Sequence, residues 1–353
     1  MKYQLPEKIK KLKPYDPIEG DYEIRVDANE SFFNLNQIQL KHLETQLETL
    51  RYNRYPDPYA KKLCQAFADF YGLDPQLVTA GNGSDELIGL LCGAFCGPDD
   101  KVGVFEQDFS MYRIDCEIYS VACVTLPKRE DLTIDVEETI RQIDEQGISV
   151  LIFSNPCNPT SLGLSREDVR RLITGTGALV VLDEAYMDFW NQSMLEEVEE
   201  YENLIILRTC SKAIGLAGIR VGFAVANQRL SQALKGAKPP YNVNILSQLY
   251  GEVTLSDKEY LNRALNAICE ETARLNKKLE DLSQRYPVLE KVYPSCTNFV
   301  YVKTEKSREI FENLLKRSIA VRLMGGYLRI SCGSGIENEI VLKNLEEVLQ
   351  ELS

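Results

Sequence analysis

The chain has 353 residues, 44% of them hydrophobic and 26% charged, which is the composition of an ordinary globular protein with a sizeable core. This length predicts two domains, or one large domain with a smaller partner. Because 53 acidic residues outnumber 40 basic ones, the formal net charge of −13 argues against partners that attract basic surfaces, namely nucleic acids and anionic membranes.

The chain also lacks the patterns that direct a protein to a membrane or hold a metal. Its N-terminus has no apolar stretch of the kind a signal peptide needs, and no run approaches the roughly 20 apolar residues of a membrane span. The ten cysteines, scattered from Cys64 to Cys332, do not have zinc-knuckle spacing. We therefore expect a cytoplasmic protein with reduced thiols and no metal. The single histidine, His42, lies in a polar helical stretch, which disfavours serine–histidine and histidine–zinc chemistry.

The hydrophobic pattern divides the chain into three parts. Residues 1–30, rich in proline and charge, are predicted to form an N-terminal arm. Residues 31–240 are predicted to form a large α/β domain, because short apolar strands alternate with amphipathic helices from about residue 76 to 226. The predicted strands are Lys101–Phe105, Val121–Leu126, Ile148–Phe153, Ala178–Leu182, Leu204–Leu207 and Val221–Ala226, with helices such as Ser84–Cys96 and Ser165–Thr174 between them. This alternation is typical of a mostly parallel sheet.

The pattern changes at residues 236–241, which contain one glycine and two prolines and are a candidate hinge. A long amphipathic helix follows, with leucines spaced along one side from Leu261 to Leu282. Strands at Asn298–Val302 and Tyr327–Ser331 and a last helix near Glu337–Leu352 complete the chain. Residues 241–353 are therefore predicted to form a small α+β domain.

Two reactive side chains follow predicted strands of the large domain. Lys212 comes shortly after the strand that ends at Leu207, and Asp183 comes directly after the strand that ends at Leu182. A lysine at a strand end can form a Schiff base with an aldehyde, and a buried aspartate can keep a pyridine nitrogen protonated. An enzyme that uses pyridoxal 5′-phosphate (PLP) must provide both of these groups. The sequence therefore predicts chemistry on an amine.

A phosphate site is predicted at the glycine-rich turn that leads into the helix Ser84–Cys96. Gly83 and Ser84 lie where the backbone can approach an anion and where the first N–H groups of a helix point towards it. The turn is neither a Walker loop nor a dinucleotide fingerprint. Ser84 could instead be a plain helix N-cap. The other candidates to surround a cofactor are Phe109, Asn158, Tyr186, Ser211 and Arg220.

Each of these residues also has a simpler interpretation. Asp183 could be a helix N-cap, and Asn158 could belong to an ordinary proline turn. Arg220 could be a surface residue, and Phe109 a core aromatic. Their joint occurrence at the ends of predicted strands favours the cofactor site, because open α/β sheets bind ligands at that edge.

Seven motifs together resemble the fold-type-I PLP enzymes of the class I/II aminotransferase family over nearly the whole chain. Their order and spacing are specific for PLP-dependent transamination and less specific for the substrate. The motifs are Arg54–Pro58, Gly81–Glu86, Asn158–Thr160, Asp183–Tyr186, Arg208–Ala213, Gly218–Arg220 and Leu328–Ile330. Three positions differ from the usual pattern: Phe109 replaces a common tyrosine, Cys157 a common asparagine and Ser161 a common glycine.

The resemblance implies a homodimer that binds an amine or phosphate substrate and a 2-oxo acid, with Lys212 as the catalytic residue. The cofactor-binding residues that it implies are Gly83, Ser84, Asp85, Phe109, Asn158, Asp183, Tyr186, Ser211, Lys212 and Arg220, joined by Tyr55 from the neighbouring subunit. The substrate-binding residues that it implies are Tyr15, Asn158, Arg322 and Arg329. Tyr15 would close over the substrate, and the arginines would bind its anionic end.

The resemblance favours transamination between histidinol phosphate and 2-oxoglutarate, a step of histidine biosynthesis. Decarboxylation of threonine phosphate and transamination of aromatic amino acids share the same motifs and stay open as alternatives. A PLP-sensing transcription regulator would need a helix-turn-helix domain and a basic surface. Residues 1–30 are too short for such a domain, and the net charge has the wrong sign.

Overall fold

The computed structural model describes residues 2–14 and 17–352, and within these ranges it contains thirteen strands and twelve α-helices. The strands are β1 (Ile24–Arg25), β2 (Val78–Gly81), β3 (Lys101–Phe105), β4 (Ala122–Leu126), β5 (Val150–Ser154), β6 (Leu179–Asp183), β7 (Leu204–Thr209), β8 (Gly222–Ala226), β9 (Lys291–Val292), β10 (Phe299–Lys303), β11 (Ile319–Ala320), β12 (Arg322–Leu323) and β13 (Tyr327–Ser331). The helices are α1 (Glu7–Lys11), α2 (Gln37–Leu47), α3 (Lys61–Tyr71), α4 (Gly83–Ala94), α5 (Met111–Tyr119), α6 (Val136–Gln146), α7 (Arg166–Gly175), α8 (Gln228–Ala237), α9 (Ile245–Leu255), α10 (Lys258–Arg285), α11 (Ser307–Lys316) and α12 (Gly335–Leu352).

A seven-stranded sheet forms the centre of the protein. Its strand order is β2-β8-β7-β6-β5-β3-β4, and neighbouring strands are parallel except where β8 pairs with β2 and β7. The strands β5, β6 and β7 are mainly apolar and almost wholly buried, and they end in the buried polar residues Ser154, Asp183 and Thr209. The α/β fold with a mostly parallel sheet is therefore as predicted, and its carboxyl edge carries polar side chains.

Helices cover this sheet on both faces. Leu63 and Phe67 of α3 and Leu172 of α7 pack into one hydrophobic core, and Leu87 of α4 and Leu234 of α8 pack into the core on the other face. Because both faces are covered, the strands carry continuous apolar sequences rather than alternating ones.

A smaller antiparallel sheet, in the order β12-β13-β10-β9, packs with α10, α11 and α12 around a separate core. Two details bear on the predicted division of the chain. Ile24 and Val26, within the predicted arm, belong to this second core, and β1 pairs with β11. Val243 and Leu255, placed in the small domain from the sequence, pack into the core of the large sheet. The boundaries at residues 30 and 240 stay predictions.

The predicted strands agree with the observed ones to within one or two residues. Strand β2 was missed, because its four residues run directly into the glycine-rich turn and give no separate apolar run. The two-residue strands β1, β9, β11 and β12 are too short to produce a pattern. The sequence therefore predicts the interior strands well and the peripheral ones poorly.

The ten cysteines are free thiols. Among the described residues, no group of three or more histidine, cysteine, aspartate and glutamate side chains is arranged to hold a metal ion. His42 is exposed on α2, beside Gln46. None of the helices in the described ranges is both long and apolar enough to span a bilayer.

Candidate active site

A cavity of about 290 Å³ opens at the carboxyl edge of β5, β6 and β7. It is lined by Ser154, Asp183 and Thr209 from these strands and by Arg322 and Arg329 from the small sheet, so it lies between the two sheets. The predicted site residues that line it are Ser84, Asp85, Phe109, Asn158, Asp183, Tyr186, Ser211, Lys212, Arg220, Arg322 and Arg329. These residues span 246 positions of the sequence and line one cavity. The fold brings them together, because no local motif extends over such a distance.

Lys212 lies in the turn that follows β7, with its amine directed towards the cavity. The amine donates a hydrogen bond to the carbonyl oxygen of Ala28 at 3.0 Å. It also lies 5.8 Å from the centre of the Tyr186 ring. The hydrogen bond to Ala28 thus fixes the lysine to the N-terminal segment, and its amine lies near the ring of Tyr186.

Asp183 is the last residue of β6 and is buried. Its carboxylate accepts hydrogen bonds from the Tyr112 hydroxyl at 2.8 Å and from the backbone N–H of Ala185 at 3.1 Å. Burial raises the pKa of the Asp183 carboxyl to about 7, and these two hydrogen bonds oppose the rise. Since both donors are neutral, the negative charge of Asp183 would be better stabilised by a cation in the cavity.

Three groups form an anion cup at the start of α4. The Asn82 side chain does not cap this helix, which leaves the first N–H groups of the helix available to an anion. The Arg220 guanidinium donates to the Ser211 hydroxyl at 3.1 Å and pairs with Asp85 at 2.8 Å. A Cβ atom on Gly222 would lie 2.4 Å from the backbone of Gly83, so β8 and α4 can approach this closely only because residue 222 is glycine.

A second cationic group lies on the opposite side of the cavity. The Arg329 guanidinium, on β13, donates to the side-chain oxygen of Asn158 and to the carbonyl oxygen of Asp27, both at 2.6 Å. It lies 5.4 Å from the centre of the Phe299 ring, and Arg322 on β12 lines the same side. The cavity therefore has an arginine at each end, which suits a ligand with two separated anionic groups.

Two of the three unusual positions lie in the loop after β5. Ser161 has a φ of 61°, the left-handed region that favours glycine, and its hydroxyl donates to the carbonyl oxygen of Pro294 at 2.9 Å. Cys157 accepts a hydrogen bond from the buried Lys128 amine at 3.2 Å. The third, Phe109, packs edge-on against Tyr112 with ring centres 5.6 Å apart.

Sequence reasoning missed Tyr112, Asn29 and Asp108, which contribute to the site. Tyr112 holds Asp183, and Asn29 donates to the Tyr186 hydroxyl at 2.9 Å. Asp108 lines the cavity and accepts from the backbone N–H of Phe109 at 2.7 Å. Burial raises the pKa of Asp108, and the nearby Lys128 amine opposes that rise. Tyr112 reads as one more aromatic of an amphipathic helix, and no sequence signal distinguishes it.

Two predicted residues of the described ranges, Gly83 and Tyr55, are not among those that line the cavity. Gly83 lies at its edge, at the first position of α4, with a φ of 73°. Tyr55 is 81% exposed, and its ring stacks on that of Tyr241 at 4.5 Å. Tyr15 lies outside the described residues.

Known proteins resemble this chain over most of its length. The model of the family Aminotransferase class I and II matches residues 24–347. A histidinol-phosphate aminotransferase of Clostridium kluyveri is 37% identical over 347 residues, which cover 97% of each chain. Another, of Clostridium novyi, is 38% identical over 336 residues, or 94% of this chain and 93% of the relative.

The fold is similarly shared with a solved structure. The histidinol-phosphate aminotransferase of Sinorhizobium meliloti, in complex with pyridoxal-5′-phosphate, superposes with a TM-score of 0.88 at 24% identity and covers 100% of this chain and 99% of its own. The fold-type-I architecture expected from the sequence is confirmed. Since the family model and the curated relatives cover nearly the whole chain, the protein belongs to the class I and II aminotransferases.

Proposed function

We propose that this chain is a PLP-dependent aminotransferase that converts histidinol phosphate and 2-oxoglutarate into imidazole acetol phosphate and glutamate, and back, in histidine biosynthesis. One observation carries the proposal: a single cavity places the Lys212 amine and the buried Asp183 carboxylate between two arginines, Arg220 and Arg329. The relatives named above support the choice of substrate.

The residues of the cavity fit PLP. The Asp183 carboxylate, buried with neutral hydrogen-bond donors, suits a protonated pyridine nitrogen. The cup formed by Arg220, Ser211 and the first turn of α4 suits a phosphate. A side chain at Gly222 would close this cup, because its Cβ would meet the backbone of α4.

When bound, PLP supplies an aldehyde for an amine and a ring that accepts the electron pair of a broken Cα–H bond. Lys212 would hold the cofactor, and its amine would act as the general base and acid that removes and returns the proton. Asp183 would stabilise a positive charge on the ring nitrogen. Tyr186 and Asn158 would supply hydrogen bonds to the cofactor, and Phe109 would supply an aromatic surface for it.

The other end of the cavity binds the substrate. Arg329, with Arg322 beside it, binds the phosphate of histidinol phosphate in one half-reaction and a carboxylate of 2-oxoglutarate in the other. A guanidinium fork accepts both anions, because each offers two oxygen atoms at similar spacing. Asn158 and the Asp27 carbonyl hold Arg329 in place before any substrate arrives.

We further propose a cytoplasmic homodimer with shared sites. Tyr55 and Tyr241 form an exposed aromatic pair outside the cavity, which suits a contact with a second copy of the chain. Tyr55 would then reach the cofactor phosphate of the neighbouring subunit, and Tyr15 would close over the substrate. Size-exclusion chromatography with light scattering tests the dimer, and an inactive Lys212→Ala subunit mixed with an inactive Tyr55→Phe subunit should restore part of the activity only if sites are shared.

The first experiment is an absorbance titration of the purified protein with PLP bound. Histidinol phosphate should bleach the visible band of the lysine-bound cofactor, and 2-oxoglutarate should restore it. Histidinol, which lacks the phosphate, is the matched control and should bleach the band only at far higher concentration. Release of carbon dioxide from threonine phosphate without lasting bleaching would favour the decarboxylase instead, and absence of any visible band would contradict the proposal altogether.

A further inference from the structure

Residues 27–29 contact three candidate site residues in succession. The carbonyl oxygen of Asp27 accepts a hydrogen bond from Arg329, and the carbonyl oxygen of Ala28 accepts one from Lys212. The side-chain nitrogen of Asn29 donates to the Tyr186 hydroxyl at 2.9 Å. The first two contacts use the backbone, which any residue supplies. Only the third depends on the identity of a side chain, so Asn29 is the position of this segment where the sequence matters to the site.

The Asn29 side chain is fixed in one orientation by the small sheet. The backbone N–H of Asn29 donates to the Ser331 hydroxyl oxygen at 2.9 Å, and the Ser331 hydroxyl donates to the side-chain oxygen of Asn29 at 2.8 Å. Asn298 donates to the Asn29 carbonyl at 3.1 Å. A serine hydroxyl has one proton, and here that proton goes to the amide oxygen. The amide nitrogen must therefore face Tyr186.

This orientation determines where the Tyr186 proton can go. The amide nitrogen of Asn29 has two protons and no lone pair to accept with, so the Tyr186 oxygen accepts there and cannot donate. The Tyr186 ring is buried, lines the cavity and is locked edge-on against Phe299 with ring centres 5.3 Å apart. The one proton of the hydroxyl is thus left for an acceptor in the cavity.

We propose that Asn29 is a positioning residue that makes Tyr186 a hydrogen-bond donor to the ring oxygen of PLP. This inference rests on the proposed function, because it needs an acceptor at that place. A hydrogen bond donated to an ionised ring oxygen stabilises negative charge there. Through Tyr186, Asn29 therefore lowers the pH at which the visible band of the lysine-bound cofactor titrates. Ser331 takes part by orienting the amide.

The test replaces Asn29 with aspartate, which is nearly the same size but accepts hydrogen bonds where asparagine donates. The Tyr186 proton then turns to the carboxylate and leaves the ring oxygen. We expect the midpoint of the absorbance titration to rise by about one pH unit. A midpoint unchanged from that of the wild-type protein would overturn the role of Asn29.

A double-mutant cycle separates this effect from that of an added negative charge, which would also raise the midpoint. In a Tyr186→Phe background the hydroxyl is missing, so Asn29→Asp should produce no further rise. A rise of equal size in both backgrounds would show that the charge acts directly and would overturn the proposal.

Ser331→Ala provides a variant without added charge, for use also if Asn29→Asp does not fold. It removes the hydroxyl that orients the amide, and it should raise the midpoint by less, again only when Tyr186 is present.

The titration of the wild-type protein distinguishes a failure of the proposed function from a failure of the role of Asn29. A wild-type protein without a visible band contradicts the proposed function, whereas a normal wild-type band with unshifted variants overturns the role of Asn29 alone.

Discussion

Two clusters of polar side chains, each built around a buried carboxyl group, lie at the ends of β6 and β7. The cavity cluster consists of Asp183, Tyr112 and Lys212. The support cluster consists of Glu184, Arg208, Asp188 and Tyr71. Asp183 and Glu184 are neighbours in the chain, and both carboxyl groups are buried. What separates them is the charge of their partners.

In the support cluster, one arginine lies against both carboxylates. Glu184 pairs with the Arg208 guanidinium at 3.2 Å and accepts hydrogen bonds from Ser193 and from the backbone N–H of Met194. Arg208 also pairs with Asp188 at 2.8 Å. Burial raises the pKa of Glu184, and Arg208 opposes that rise.

The cavity cluster, in contrast, has no such compensation for Asp183, whose donors are a hydroxyl and a backbone N–H. Removing either partner of a buried carboxylate–arginine pair destabilises the fold, because it leaves the other charge buried without compensation. A buried carboxylate with neutral partners is costly to ionise until a cation arrives. Of these two neighbouring acids, Glu184 therefore has a structural role, and Asp183 is suited to bind a cationic group of a ligand.

The largest expected effect is on the chemistry of the cavity cluster. Lys212→Ala should lower the rate of a single turnover by about 10⁴-fold, because it removes the amine that moves the proton. Its thermal unfolding should stay close to that of the wild-type protein, since the lysine makes one hydrogen bond at the edge of the cavity. Rapid-mixing absorbance measures the rate. A variant within tenfold of the wild-type rate would remove Lys212 from the mechanism.

The support cluster should show the opposite behaviour. Glu184→Gln leaves Arg208 with one carboxylate fewer, and we expect the free energy of unfolding to fall by about 3–5 kcal/mol. Turnover per folded molecule should change little. Urea unfolding followed by fluorescence measures the loss, and Glu138→Gln, in an exposed ion pair with Arg141, is the control that should unfold like the wild-type protein. If both variants unfolded with the same free energy, Glu184 would not have the structural role assigned to it.

Asp183 should make the cofactor-stripped protein less stable as the pH rises. Its pKa is about 7 in the fold against an ordinary value of 3.8, so the folded state binds more protons between these pH values. The cost is absent below about pH 4, grows through this window and is complete above pH 7, where it reaches about 4 kcal/mol. Asp183→Asn should remove this slope. Unfolding of both proteins at pH 5 and pH 8 measures the difference, and parallel pH profiles would argue against a costly buried charge.

The smallest effect is expected at the anion cup. Arg220 is about half exposed, unlike Arg208, so its loss should affect binding rather than folding. Arg220→Lys keeps the charge but loses the fork, and we expect PLP to bind about tenfold more weakly, or about 1.4 kcal/mol. Equilibrium dialysis of the cofactor measures this change. A stability loss as large as that of Glu184→Gln would mean that Arg220 is structural after all.

The reactive residues of the cavity, Lys212 and Asp183, can be predicted from the sequence, whereas the residues that position them cannot. Lys212 and Asp183 could be found because each follows an apolar strand, and parallel strands bring their carboxyl ends to one edge. Tyr112 and Asn29 could not, because their partners lie 71 and 157 residues away in the chain. Such contacts depend on how helix α5 and the N-terminal segment pack, which hydrophobic periodicity does not encode. The same limit applies to strand β2, whose four residues carry no period.

Gly222 has a genetic consequence. Glycine is the one amino acid without a Cβ atom, so every missense change in this codon adds an atom 2.4 Å from the backbone of Gly83 and Ser84. Whatever the new residue is, β8 or the start of α4 must shift to make room for it. Codon 222 therefore offers no missense change that leaves the backbone beside the anion cup in place.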